Sequence, residues 1–368
     1  MRHFAGNKWG MKMIMEQTRT DQLLDSIIKE NLKPFVKKID LESYYAKDYI
    51  SNLGEKGLFN SIDHSFVETL EREALTVEKT SESCMTTGFN LWCHLAALTY
   101  LRHTNNEYLR SELLTKLEKG EILGGTGLSN PMKYFSGLEP LHLRAVRTDG
   151  GYVINGNLGA VSNLHDDHWF GVIASVGGEQ EMMAFVPCYA KGLTLKEQVN
   201  YIGVNGSATY ACKFKDVFVP DYWIISSNAR SFTDMIRPIF VLYQIPLGLG
   251  VISASIQSMK KAPKKQGAIN RFLDVQPEYI EEKYHSLKGM LISLIEGNEL
   301  QNQLKELIRL RLEVDYLIME AVHGDMLHYG GAAYLQKSHP SRRLRESYFL
   351  LNLTPTVKHL KKMLVDWK

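Results

Sequence analysis

The chain has 368 residues, 44% apolar and 23% charged, with 43 basic against 41 acidic side chains and a formal net charge of +2. That balance leaves no electrostatic footprint for a nucleic acid, and the length predicts two or three domains rather than one small core. Cys84, Cys93, Cys188 and Cys212 are widely spaced and form no CxxC pair. Neither a disulfide framework nor a zinc site is indicated, and a reducing, cytoplasmic setting is expected.

Residues 1–20 read as a loose leader without the apolar core of a signal peptide. A helical domain is expected over 21–121. Leu23, Leu24, Ile27, Ile28 and Leu32 recur at helical spacing, and Phe66, Leu70, Ala74 and Val77 share one helix face. The stretch Cys84–Tyr100 is apolar nearly all round, which predicts a central buried helix. A further helix over Leu109–Leu117 closes at Gly120, placed as a C-cap.

From Ile122 the pattern changes. Turn signals at Thr148–Gly151 and Asn155–Gly156 flank Tyr152–Ile154. Runs rich in β-branched and aromatic residues follow at Trp169–Val176, Glu181–Pro187 and Thr209–Val219. The spacing predicts a small antiparallel barrel or sandwich over 122–228. Over 229–368 helices return as a four-helix bundle: Ile236–Lys260, Glu278–Glu296, Leu300–Tyr329 and Arg342–Val365, with an exposed break at Lys261–Gly267. The apolar run Ile236–Ile256 holds Arg237, Pro238, Gln244 and Pro246. A membrane span needs about 20 apolar residues, so a buried bundle helix is expected instead.

The stretch with most chemistry lies between Gly125 and Asn163. Each half ends in a hydroxyl beside an apolar residue: Leu128 with Ser129, and Val161 with Ser162. Two such edges, side by side, would offer backbone N–H groups and hydroxyls to a flat heteroaromatic ring.

Along nearly its whole length the chain resembles the acyl-CoA dehydrogenase superfamily. The segment Gly203–Pro220 is similar to the family pattern G-x-R-G-S-x-T followed by F-x-x-V-x-V-P, with Asn205 for the arginine. Ile154–Gly156 with Val161–Asn163 is similar to L-N-G-x-K-x-W-I-T-N, Gly125–Pro131 to the T-E-P segment, and Gly330–Gly331 through Arg345–Glu346 to the GG-x-G-Y and R-D motifs. The resemblance implies a three-part α–β–α fold and an FAD-dependent oxidoreductase acting on an acyl thioester, possessed of a flavin site shared between the subunits of a homodimer or homotetramer. It implies that Leu128 and Ser129 face the flavin pyrimidine edge and that Val161 and Ser162 lie near N5 and O4. Ser136 and Arg271 would meet the pyrophosphate, and Gly331 and Thr356 would line the adenosine half.

Several positions depart from the family. Asn130 replaces its acidic residue, Leu158 and Ala160 its lysine and tryptophan, and Leu327 a glutamine that often binds the cofactor. Weak FAD binding, FMN or a loosely held reduced flavin are the alternatives these raise. The base in the family's Y-E-G-T segment falls at Thr354, and the other known position falls at Arg237–Ile239, with no carboxylate. Three readings stay open: a dehydrogenase with its base elsewhere, a reduced-flavin monooxygenase, and a silent ligand-binding relative. Asn130, Ser162 and His94 are the candidate catalytic groups for the second, although a core histidine and a turn asparagine are the plainer readings of His94 and Asn130. His165–His168 has the composition of a metal cluster, but a solvated loop is favoured and no metal is expected. Arg342, Arg343 and Arg345 are expected in structural ion pairs.

Overall fold

The computed structural model describes residues 19–178, 180–262 and 267–367. Most of the expected leader, and most of the expected break near residue 265, lie outside the described residues. Helix α1 (19–27) runs on into a π turn, Ile28–Leu32, and is followed by α2 (Val36–Leu41), α3 (Lys47–Glu55), α4 (Phe66–Ser83), α5 (Met85–His103) and α6 (Thr115–Glu118). Ser65 starts α4 with a capping box, its hydroxyl taking the Glu68 N–H and the Glu68 carboxylate taking its own. Helix α5 is buried continuously from Met85 to Leu101, as its all-round apolar character requires.

The middle of the chain forms one eight-stranded sheet in the order β6-β7-β3-β2-β4-β5-β8, with β1 paired to β4. The strands are β1 (Gly124–Thr126), β2 (Leu143–Thr148), β3 (Gly151–Val161), β4 (Trp169–Gly177), β5 (Gln180–Pro187), β6 (Leu193–Glu197), β7 (Tyr210–Pro220) and β8 (Ile224–Ser226), with the short helix α7 (Ser129–Phe135) between β1 and β2. The sheet is mixed rather than purely antiparallel, because β1 and β2 both run parallel to β4. Turn signals in the sequence mark hairpins. They are blind to a parallel pairing, which needs a long crossover.

Helices resume with α8 (Ala229–Leu242), α9 (Ile245–Lys261), α10 (Pro277–Glu296), α11 (Leu304–Tyr329), α12 (His339–Asn352) and α13 (Val357–Asp366). The expected helix Ile236–Lys260 is therefore two, since Pro246 sits in the first turn of α9, where a missing N–H costs nothing. The expected Arg342–Val365 is likewise divided, around Pro355. Helix α9 packs against α10, α11 and α12, and also against α4 from the N-terminal region. The helices before and after the sheet thus share one hydrophobic core, which includes Leu91, Trp92, Val241, Leu242 and Ile318. A second core, with Leu143, Ile154, Phe170 and Val217, belongs to the sheet. The α8–α9 stretch is long and apolar enough to cross a membrane, yet 89% of its most apolar window is buried within the protein.

Candidate functional site

Two chain segments meet at one end of the sheet. Strand β1 leads through Gly127 and Leu128 into α7, and β3 ends at Val161 beside Ser162. An isolated antiparallel bridge joins Thr126 to Ser162, so the two hydroxyl-bearing edges are neighbours. Glycine is required at the junction: a Cβ on Gly125 would lie 2.7 Å from the Ser162 carbonyl oxygen, and one on Gly127 would lie 2.9 Å from that of Gly171. The side chains of Leu128 and Val161 are buried in the two cores, which leaves only their backbones for any ligand. Helix α7 has no side-chain cap, so the first-turn N–H groups of Ser129 and Asn130 lack an intrahelical acceptor.

Hydroxyls surround this junction. Ser162 Oγ lies 2.7 Å from Thr209 Oγ1, which lies 2.7 Å from Ser207 Oγ. Thr126 Oγ1 is 2.6 Å from the Tyr100 hydroxyl on α5. Ser129 Oγ is 3.0 Å from Thr354 Oγ1, and Gln244 Nε2 donates to the Thr354 carbonyl at 2.9 Å. Thr354, where the family base was expected, is thus met by a hydroxyl and a carboxamide. Gln244 is fully buried and its Oε1 has no partner.

Two candidate catalytic groups are corrected by their surroundings. His94 is fully buried; its Nε2 faces the Leu117 carbonyl at 3.1 Å and its Nδ1 accepts the Gly124 N–H at 3.1 Å. Both ring nitrogens are used, and burial holds its pKa at about 3. It anchors β1 to α5 and has nothing left to offer a substrate. Asn130 donates to Glu139 and to the Pro140 carbonyl, each at 2.8 Å, and accepts the His142 N–H at 2.9 Å. Its carboxamide ties the α7–β2 loop together. Of the three candidates only Ser162 keeps hydrogen-bonding capacity directed out of the protein fabric.

The residues expected at the phosphates and adenosine fall into two groups. Ser136 Oγ is 2.6 Å from His359 Nε2, and Thr356 caps α13 by accepting the His359 N–H. Burial, then Arg237, Lys362 and Lys133, hold His359 at about 4. A neutral imidazole and a hydroxyl among cations suit an anionic ligand. Arg271, stacked on Phe272, and Gly331, in the turn Gly330–Tyr334, lie elsewhere, at the end of α11. There Asn270 donates to the His328 carbonyl at 3.1 Å. No hydrogen bond joins the two groups among the described residues.

Elsewhere the polar groups are engaged in structure. Arg342 pairs with Glu346 at 3.3 Å, Arg343 with Asp325 at 2.5 Å and Arg345 with Asp40 at 2.7 Å. In the His165–His168 loop Asp167 pairs with Lys47 at 2.8 Å, and no group that could hold a metal ion occurs among the described residues. Sequence reading missed Thr209, Ser207, Gln244 and His359. The spacing Ser207-x-Thr209 held a signal, because alternate residues of an extended segment share a face. Gln244 carried none, being one polar residue in an apolar helix.

The arrangement passes a test for a flavin at its ring end and its phosphate end. Neutral hydroxyls and uncapped N–H groups match the ring nitrogens and carbonyls of a flat heterocycle, and the Ser136–His359 pair matches a diphosphate. Beyond them, a Cβ on Gly159 would meet nothing within 4 Å, and Ala160 is exposed. The family's tryptophan position is open here.

No family model matches the chain. It is 24% identical over 270 residues to the mitochondrial isovaleryl-CoA dehydrogenase of Solanum tuberosum, covering 69% of this chain and 61% of that one. It is 24% identical over 235 residues to a probable acyl-CoA dehydrogenase, YngJ, of Bacillus subtilis, covering 60% of each. The match thus spans about three fifths of the length of these relatives. A solved glutaryl-coenzyme A dehydrogenase in complex with glutaryl-CoA has the same fold, with a TM-score of 0.84 at 13% identity over 95% of this chain and 94% of the other.

Proposed function

We propose, from the premise that this chain is a distant member of the acyl-CoA dehydrogenase superfamily, that it is a flavin-dependent oxidoreductase acting on an acyl thioester or a related small molecule. The observation that carries this reading is the Thr126–Ser162 bridge, which sets two donor-bearing edges side by side. Ser162 and the N–H groups of Ser129 and Asn130 would hold the flavin ring, with Ser136, His359 and Thr356 toward its phosphates; FAD is the flavin proposed. When bound, the flavin accepts electrons from the substrate. The chain's own part is to bind and orient ring and substrate in an apolar setting, where neutral donors act strongly.

Proton removal is the step at which this chain departs from its relatives. A general base must stand within hydrogen-bond reach of the proton it takes. At the position expected for it stand Thr354, Ser129 and Gln244, all neutral. That cluster favours a second reading, a reduced-flavin monooxygenase on the same fold, in which no carboxylate base is needed.

Arg271 and Gly331 are proposed to serve a neighbouring subunit. They lie among exposed apolar side chains, Phe272 at 74% exposure and Tyr334 at 89%, a face suited to a second copy of the chain.

The visible spectrum of the purified protein, before and after incubation with FAD or FMN, tests the reading. A bound yellow chromophore that bleaches anaerobically with an acyl-CoA supports the dehydrogenase. Uptake of reduced flavin followed by oxygen consumption supports the monooxygenase. A protein that takes up no flavin in either redox state would sink both.

A further inference from the structure

The three hydroxyls behind Ser162 have a direction. Each carries one proton and can accept as well, and two hydrogen bonds of 2.7 Å link them in the order Ser162, Thr209, Ser207. Ser207 is 1% exposed, and among the described residues its Oγ meets no group but Thr209. If Ser207 accepted from Thr209, its own proton would be buried without an acceptor, an arrangement that folded proteins avoid. The proton of Ser207 therefore points to Thr209, and that of Thr209 to Ser162. Ser162, half-buried at the strand end, is left with its proton free to point outward.

The turn that holds Ser207 in place is built with strain. Val204 and Ala208 flank the 3-10 turn Asn205–Ser207 with φ of 55° and 48°. Left-handed backbone is uncommon for alanine and an outlier for a β-branched residue, and such strain gathers at functional sites. Gly206 must be glycine, since a Cβ would lie 2.6 Å from the Tyr44 carbonyl oxygen. The Ser207 carbonyl accepts from Asn90 Nδ2 at 2.8 Å and from the Asn163 N–H at 3.0 Å. Helix α5, the β3 end and the strained turn thus all fix the buried end of the hydroxyl chain.

We infer that Thr209 and Ser207 are positioning residues that set Ser162 as an obligate hydrogen-bond donor toward its ligand, which selects a ring nitrogen with a free lone pair over a protonated one. The inference rests on the flavin reading above and sharpens it. An oxidised flavin offers such a nitrogen, and its two-electron-reduced form presents an N–H there. The site is built to hold the oxidised form more tightly.

The test is a titration of the full-length protein with oxidised and with reduced FAD, recording dissociation constants and the visible band. Wild type should bind oxidised FAD more tightly than reduced. Thr209→Val should weaken oxidised FAD about fivefold to tenfold, shift the visible band and narrow the preference, while Thr209→Ser restores all three. In a Ser162→Ala background Thr209→Val should have no further effect, because the relay acts only through Ser162. Should Thr209→Val fold poorly by circular dichroism, Ser207→Ala, which leaves Thr209 and Ser162 intact, should narrow the preference instead. Additive losses in the double variant, an unchanged Thr209→Val or a wild-type preference for reduced FAD would overturn the inference. A wild type that binds neither form overturns the flavin reading itself, and the relay's role with it.

Discussion

The helical body and the strand edge bury polar groups in opposite ways. In the helices, buried charge meets buried charge: Arg311 with Asp315 along α11, Arg343 with Asp325, and Arg102 with Glu73 at 2.9 Å and Glu118 at 3.1 Å. At the meeting of β1, β3 and the Ser207 turn the buried groups are hydroxyls and a carboxamide, and one acceptor, Gln244 Oε1, is unmatched. Paired charges hold elements together but have no capacity to spare. Neutral hydroxyls, each able to donate and accept, can turn toward a ligand without leaving a buried charge behind. The difference separates the part of the molecule that stabilises from the part proposed to act.

The sharpest break of that contrast is to remove half of a charge pair. Asp315→Ala should strand the Arg311 guanidinium and cost about 3–5 kcal/mol, read as a lower urea midpoint. Replacing both, as Arg311→Met with Asp315→Leu, should recover most of the loss. Acid makes a related test through the buried histidines. Burial holds His94 at about 3 and His168 at about 4, below the unfolded value of about 6.5. The unfolded chain binds those protons first, so stability is complete above about pH 6.5 and lost as pH falls toward 4. Each histidine should contribute up to about 1.4 kcal/mol per pH unit in that window, measurable as urea midpoints at pH 7 and pH 5.

Asn130→Ala tests the loop-tying role given to that residue. It should cost about 1–3 kcal/mol in stability, through the unmatched His142 N–H and Glu139, without moving the flavin spectrum. A lost spectrum with intact stability would return Asn130 to the site. Thr354→Glu introduces charge where the strand edge has none. It should lower stability modestly and, if the dehydrogenase reading holds, raise the rate of anaerobic bleaching by an acyl-CoA above that of wild type.

The order of helices, sheet and helices was legible because composition changes abruptly near Ile122 and again after Pro220. The two hydroxyl edges were legible too, since Leu128–Ser129 and Val161–Ser162 stand at the ends of recognisable segments. Their adjacency was not, because it depends on β1 running parallel to β4, a pairing with no local signature. The roles of His94 and Asn130 were misjudged for a common reason. A polar residue on an apolar helix or before a proline shows its chemistry but hides its partners, here the Leu117 and Pro140 carbonyls. Gln244 and His359 were silent because their neighbours, Thr354 and Ser136, are far away in the chain.

The contact between α4 and α9 has a consequence for biosynthesis. The apolar faces of α4 and α5 emerge from the ribosome long before α9, their main cover, has been made, and the whole sheet is synthesised in the interval. A nascent chain in that position holds exposed apolar surface for the time it takes to translate the middle segment, and surface of that kind recruits chaperones and invites aggregation. Fragments ending at the sheet should accumulate as insoluble protein, and only polypeptides extending through α12 should be recovered in soluble form.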